Sequence, residues 1–378
     1  MMHKASRAIN RFSGIQVSQH SERRWSAHHF FYHGDLDVAL RHFIRPAIAE
    51  LSARRLIDSF FFIRYTLGGP HLRLRYHLTS DASLSGAAVA AILQEEAARF
   101  SARWPTATAL DPEEIRRESR AILAAVPEES ALYYEDNSLL PFPFEPEVDR
   151  YGGQDLLEHS LDFFAISSAQ ALEAIHDPKW ESPGRRGAMV FRLLLRQAWG
   201  FAESEKEFLL HLGYRLPLRQ EVGDGIWSKA DRDFEARRET YRALLKQELN
   251  LLAEADNTTD GPIWPTARFL YEAAKRLSQS VRHAAPEIRW QIGHSQLHMT
   301  ANRLGFFPPQ EMHLQRILWR AARDLEEADP ATWRQVMTAS LDHEGAPRAL
   351  LRQLLAPAIS SLQQSNSTSY LETSTGSS

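Results

Sequence analysis

The chain has 378 residues, 43% of them hydrophobic and 24% charged, with a formal net charge of −4. That balance suits a soluble globular protein with a real core and supplies no basic field for nucleic acid. Cysteine is absent, which excludes disulfides, thiolate nucleophiles and cysteine-ligated metals and suits a reducing cytoplasm.

Residues 1–23 are basic, polar and patternless and read as a loose arm. No apolar run of signal length follows, and no stretch of about 18 apolar residues occurs, so neither a signal peptide nor a membrane span is expected. Trp25 to His33 is aromatic and compact, the mark of a strand. Asp35 then opens an amphipathic helix through Leu51, with Leu36, Leu40, Phe43 and Ile44 near helical spacing and Pro46 set to kink or divide it. In the next segment, two β-prone runs flank Leu67-Gly68-Gly69-Pro70, a hairpin turn. Alternation in the second run places His71, Arg73 and Arg75 on one face and Leu72, Leu74 and Tyr76 on the other. The segment from Ser80 to Asn137 either shapes substrate access or covers the sheet as helix. Stripes at Val89, Leu93, Ala97, Phe100 and Trp104, and at Leu157, Leu161, Phe164, Ser168 and Leu172, predict helices. Further helices are expected near 186–200, 229–255, 266–283, 287–304 and 310–328, with Gly305 as a left-handed cap. No linker or repeat divides the chain, so a single domain is expected over 24–362, followed by a disordered Ser/Thr-rich tail over 363–378. Strands early and helices later predict an α+β fold, an antiparallel sheet with a hairpin in the first third covered by a mainly helical remainder.

Three constellations are suited to chemistry. The two guanidiniums of Arg73 and Arg75 on one strand face can hold carboxylates by paired, charge-assisted hydrogen bonds. The same pattern also fits a solvated polar face; Phe60, Phe62 and Arg64 on the preceding strand argue instead for a site wall. In Glu147-Val148-Asp149-Arg150-Tyr151-Gly152-Gly153, two glycines precede a helix entrance whose free N–H groups favour an anion, with Arg150 adding charge. A tight turn with an Arg–Glu pair is the plainer reading there. Third, His294, His298 and Asn302 share a helix face at four-residue spacing. A histidine there can serve as general acid or base, or simply pack at a helix interface. Metal is not expected: an HExxH helix would carry an acidic residue where Ser295 stands. Walker A, GxGxxG and GxSxG signatures are all missing. A reaction without cofactor, run by Arg and His, fits this inventory.

Phe61-Phe62-Ile63-Arg64-Tyr65 with Gly69 to Arg75, Pro146 to Gly153, and Leu297 to Gly305 come in an order and spacing that resemble the C-terminal elimination domain of lantibiotic dehydratases, also called the thiopeptide-type bacteriocin biosynthesis domain. The similarity spans roughly residues 24–360. The resemblance implies a lyase that removes glutamate from glutamylated Ser or Thr of a precursor peptide, giving dehydroalanine or dehydrobutyrine. It implies Arg75, Arg150 and His298 as catalytic residues. Substrate binding falls to Arg73, Arg64, His71, Asn302 and Arg303, with Asn302 and Arg303 also supporting His298 or the helix end. No cofactor or metal is implied. The implied partners are the precursor peptide, leader plus core, and a separate glutamyl-tRNA-dependent glutamylating subunit, since this chain has no room for that larger domain. Neither direct nucleic-acid binding nor a membrane is implied; a homodimer and a cytoplasmic location are. Two other functions stay open: a thiopeptide pyridine synthase, which joins two dehydroalanines in a formal [4+2] cycloaddition and releases the leader, and a non-catalytic module that presents the peptide.

Overall fold

The computed structural model describes residues 25–79, 82–107, 110–123, 133–213, 224–253 and 267–341; the expected arm and tail lie outside them. Four antiparallel strands, β1 (Trp25–Phe31), β2 (Ile57–Tyr65), β3 (His71–Leu78) and β4 (Ser138–Phe142), form one sheet in the order β2-β3-β1-β4. The turn between β2 and β3 uses Gly68 and Gly69 at φ 81° and 120°, backbone open to glycine but strained for other residues. β4 was not expected: Pro141 within it and Pro143 beside it read as breakers, and the strand is tolerated because it lies at the sheet edge.

Between β1 and β2 runs one helical rod: α1 (Leu36–Ala39), a π turn (Leu40–Ile44) and α2 (Arg45–Ala53). Asp35 caps it, accepting from the Asp37 N–H at 2.9 Å. The π turn ends just before Pro46, whose ring and missing N–H would break a regular ladder at that point. This rod and α3 (Ala82–Arg103) bury the apolar face of the sheet, with Phe30 against Phe43 at 4.6 Å and against Phe100 at 5.7 Å between ring centroids. Helix thus accounts for part of the 80–137 segment, with α4 (Pro112–Leu123) following α3.

The remaining helices are α5 (Gln154–His176), α6 (Pro183–Phe201), α7 (Glu205–Leu212), α8 (Asp224–Ala236), α9 (Arg238–Ala253), α10 (Ala267–Ser280), α11 (Pro286–Arg303), α12 (Pro308–Ala328) and α13 (Pro330–Leu341). The helix expected at 229–255 is two, parted at Arg237. Gly305, at φ 76°, ends α11 as the left-handed cap, its N–H donating to the Asn302 carbonyl.

The outer edge of β2 is closed by side chains from α5 and α11. Ser168 Oγ accepts from the Phe62 N–H at 3.2 Å, and Arg303 Nε donates to the Phe62 carbonyl at 3.0 Å. Asn302 acts as a surrogate strand, accepting from the Arg64 N–H and donating to the Arg64 carbonyl, both at 2.9 Å. Edge groups that would otherwise need water or another strand are satisfied. The same bonds fix α11 against the sheet.

Candidate functional site

Register decides which side chains meet. His71, Arg73 and Arg75 share a face with Tyr65, Ile63 and Phe61 of β2 and with Phe31, His29 and Ala27 of β1. Phe60, Phe62 and Arg64 pair with Tyr76, Leu74 and Leu72 and so lie on the opposite, core-facing side. The expectation that those three flank the arginines is corrected: the aromatic wall is Phe61 and Tyr65. Arg64 is buried and bound to the buried carboxylate of Asp37, which also accepts from Trp180 Nε1 at 2.8 Å; Arg64 Nε donates to the Arg303 carbonyl at 2.9 Å. Its bonds are those of a structural ion pair.

His71 is almost fully buried, and burial pushes its pKa down to about 3. Its Nδ1 lies 2.9 Å from the Gly69 carbonyl, which can only accept, so Nδ1 carries the proton. The free lone pair on Nε2 then accepts from Arg73 Nε at 3.2 Å. With its guanidinium 3.7 Å from the Tyr65 ring centroid, Arg73 is held from two sides. His71 therefore positions Arg73 and has no polar atom left for a ligand. His29, stacked on Phe142 at 3.9 Å, is driven down to about 2 by burial and by the charges of His71, Arg73 and Arg75. Beside these two neutral rings, the lasting charge is that of the Arg73 and Arg75 guanidiniums.

Arg75 is half-buried along its length, and its Nη1 is closed to solvent with no hydrogen-bond partner among the described residues. The guanidinium lies 5.6 Å from the Phe61 ring and 5.9 Å from that of Phe144. Burial first and Arg73 next, opposed by Glu147 and Tyr151, bring its pKa down to about 10. A buried cationic donor without an acceptor is a costly arrangement unless an anion completes it.

The turn that faces Arg75 is a short 3-10 helix, Asp149–Tyr151, followed by Gly152 at φ 79° and Gly153 at φ 101°. A Cβ on Gly152 would sit 2.7 Å from the Ile288 side chain, so the turn is pressed onto α11. Tyr151 is the centre of the site. Its ring is buried against Phe164 of α5 at 5.4 Å, and its hydroxyl lies 2.8 Å from Ser295 Oγ of α11. Burial raises its pKa, opposed by the Ser295 bond and the charges of Arg150 and Arg303. Arg150 itself sits at the rim. Its Nη1 donates to both oxygens of Glu147 at 3.1 and 3.2 Å, and its carbonyl accepts from Gln291 Nε2 at 3.1 Å. The Arg–Glu turn reading therefore holds for the resting chain.

Gln291, Ser295, His298 and Asn302 recur at four, three and four residues and so share one stripe of α11, facing the turn at one end and the β2 edge at the other. His298 Nδ1 lies 2.7 Å from Oε2 of Glu311, a fully buried carboxylate in the first turn of α12. Gln315 Nε2 donates to the other oxygen at 3.1 Å. The carboxylate fixes the proton on Nδ1 and so leaves the lone pair on Nε2, the geometry that an orienting acid gives in a His–carboxylate pair. His294, one turn away, instead packs against Trp290 and His211.

Arg303 is fully buried, with Nε on Phe62, Nη1 on Ser167 Oγ at 3.1 Å, and Nη2 without a hydrogen-bond partner among the described residues. Burial, opposed by Tyr151 and aided by Arg75, brings its pKa down to about 9. Arg75, the 149–153 turn with Arg150, and the His298 stripe thus converge on Tyr151. Arg73 with His71 stands nearer the hairpin, and Arg64 with Asn302 belongs to the sheet edge. No sequence motif marks Ser295 or Glu311 as a site residue, and Glu147 and Tyr151 enter only as members of the 147–153 run. No group of three or more His, Asp or Glu among the described residues is placed to hold a metal. No described helix is long and apolar enough to cross a membrane.

Known proteins bear on this geometry in three ways. Among curated protein sequences none matches this chain. Similar folds occur in solved structures: the pyridine synthase TbtD from thiomuracin biosynthesis, at 19% identity and TM-score 0.66, covering 81% of this chain and 99% of TbtD; TsrL, at 16% and 0.56, covering 85% of this chain and 100% of TsrL. The tRNA-dependent lantibiotic dehydratase MibB from Microbispora sp. 107891 is also similar, at 18% and 0.55, covering 83% of this chain but 29% of MibB. Residues 25–322, almost the whole described sheet and helix array, match the family model for the C-terminal part of lantibiotic biosynthesis dehydratases, and the chain belongs to that family.

Proposed function

We propose that this chain, acting in the biosynthesis of ribosomally made and modified peptides, eliminates glutamate from glutamylated Ser or Thr of a precursor peptide. The observation that carries this reading is Arg75, a cation whose buried Nη1 has no acceptor among the described residues and which feels the charges of Glu147 and Tyr151 in the turn pressed onto α11. Elimination removes the α-proton, forms an enolate and then breaks the β C–O bond, so that the double bond forms as glutamate departs with the electron pair. A preorganised guanidinium stabilises the enolate oxygen as charge develops there. Arg150, at the rim, takes the glutamyl carboxylate through the two-oxygen contact that it now makes with Glu147. His298, oriented by Glu311, moves the proton through Nε2. Arg73, fixed over Tyr65, holds the peptide or the second glutamyl carboxylate. A separate glutamylating subunit supplies the substrate.

The test is mass spectrometry of a glutamylated precursor peptide incubated with the purified chain. Loss of glutamate with gain of a dehydro residue is the expected result; an intact glutamylated peptide refutes the proposal.

One observation favours a second reading. The chain covers 99% of TbtD, a pyridine synthase, but 29% of MibB. The same enolate-stabilising arginine and oriented histidine would serve a formal [4+2] cycloaddition of two dehydroalanines. Cyclisation and leader release from a peptide already carrying dehydroalanines would establish that reading instead.

A further inference from the structure

Glu147 has no part in the chemistry above, yet it occupies a telling position. Its carboxylate meets Arg150 Nη1 through both oxygens, at 3.1 and 3.2 Å. Gly152 and Gly153 bend the chain directly after Arg150, and Tyr151 turns inward to Ser295, so the Arg150–Glu147 pair lies on the solvent side of the turn whose Tyr151 is buried. The charge of Glu147 reaches both Arg75 and Tyr151. No hydrogen bond joins it to Arg75, whose Nη1 has no acceptor among the described residues. The Glu147 side chain is 60% exposed and that of Arg150 37%. An ion pair so solvated is held weakly and is readily exchanged for another carboxylate.

We infer that Glu147 is a placeholder: in the resting chain its carboxylate occupies the seat on Arg150 that the glutamyl carboxylate of the substrate takes, and it must be displaced for the substrate to bind. The inference rests on the elimination reading for the identity of its ligand, a glutamyl carboxylate. Two consequences follow from the chemistry. Arg150 is held in a carboxylate-binding geometry before substrate arrives, so little side-chain freedom is lost on binding. Peptides without a carboxylate at this position meet a neutralised arginine and gain nothing by displacing Glu147, so the residue sets selectivity as well as affinity.

The experiment measures binding and turnover separately. Glutarate, a dicarboxylate that cannot react, is titrated by calorimetry into the wild-type chain, Glu147→Gln and Glu145→Gln. Glu145 is exposed, two residues away, and loses the same charge. Glu147→Gln is expected to bind glutarate about three- to fivefold more tightly than wild type, fivefold being about 1 kcal/mol. It should lower KM for glutamylated peptide by a similar factor with kcat unchanged, while Glu145→Gln stays within about 1.5-fold, the size expected of a distant screened charge. Equal glutarate affinity in wild type and Glu147→Gln, equal tightening by both variants, or no glutarate binding by any of the three overturns the inference. So does a collapse of kcat with KM unchanged, which would make Glu147 the base. If Glu147→Gln tightens glutarate while the wild-type chain leaves glutamylated peptide intact, the elimination reading falls and the placeholder stands.

Discussion

The pair of His298 and Glu311 gives a sharp test of the proposed chemistry. Glu311 is fully buried, and each of its oxygens has one partner named above: Oε2 at 2.7 Å from His298 Nδ1 and Oε1 at 3.1 Å from Gln315 Nε2. Glu311→Gln keeps size and shape but offers one acceptor where there were two. If the new amide turns its oxygen to His298, its NH2 faces the NH2 of Gln315, two donors opposed. If it turns its NH2 to His298, Nδ1 must accept, and the ring proton moves to Nε2, the atom needed for proton transfer. In either pose a hydrogen bond to a charged group, about 1.5–3 kcal/mol, becomes a neutral one of about 0.5–1.5 kcal/mol or is lost. The difference of about 1–2 kcal/mol falls on the step in which the imidazole gains charge, so kcat should fall about 5- to 30-fold with KM within about twofold. Single-turnover mass spectrometry of a glutamylated peptide gives kcat, and nitrogen NMR of His298 reports which ring nitrogen carries the proton. A folded Glu311→Gln chain that keeps kcat within twofold and the same tautomer would refute the orienting role.

Other substitutions separate function from fold. Arg75→Met should abolish elimination while Tm, read by circular dichroism, stays level or rises, because it removes a half-buried cation whose Nη1 has no acceptor among the described residues. A fall in Tm of more than a few degrees would mean that Arg75 is structural. Arg64→Met should do the reverse, losing about 3–5 kcal/mol in urea unfolding by stranding the buried Asp37 carboxylate; near wild-type stability would contradict the ion-pair reading. The protein should also be acid-sensitive. Burial depresses His29 to about 2 and His71 and His211 to about 3. For a base whose folded pKa is lowered, the unfolded chain takes the proton first, so stability falls as pH drops below about 6.5 toward those values. From pH 7.5 to 5.5 each contributes a loss on the order of 1.4 kcal/mol, about 4 kcal/mol for the three. A flat urea-unfolding profile over that window would show that these rings are protonated in the folded chain.

Local pattern made some of this visible in the sequence and could not reach the rest. Strict alternation in β3 put Arg73 and Arg75 on one face, and Gly305 marked the end of α11 correctly. The neighbouring run Phe60-Phe61-Phe62-Ile63-Arg64-Tyr65 has no alternation, because both of its faces are covered: one by the core, the other by Phe164 and the arginines. Period alone therefore could not say which aromatics stand beside Arg75, nor that Arg64 pairs with the buried Asp37. Asn302 and Arg303 serve backbone groups 238 and 241 residues away in sequence, a pairing that no local signal encodes. Glu311 left a fainter trace. It is an acid among buried positions at the start of a helix that opens with Pro308 and Pro309, where a buried carboxylate calls for a partner. The histidine spacing was read correctly as one helix face, yet His294 and His298 end in different neighbourhoods, because α7 and α12 approach that face at different heights.

The two borders of the sheet bear on how a peptide is caught. On the β2 side, Phe62 and Arg64 already have Ser168, Asn302 and Arg303 as neighbours. On the β4 side, Pro141 has no N–H to give, and the Leu139 carbonyl accepts from Gln94 Nε2 at 3.2 Å. These contacts disfavour docking of a peptide as a fifth strand, the mode that reads backbone and ignores much of the sequence. They favour a peptide that lies across the sheet and is read through its side chains and its acyl group. On the elimination proposal, the modified residue is then recognised by the glutamyl group it carries rather than by the backbone around it.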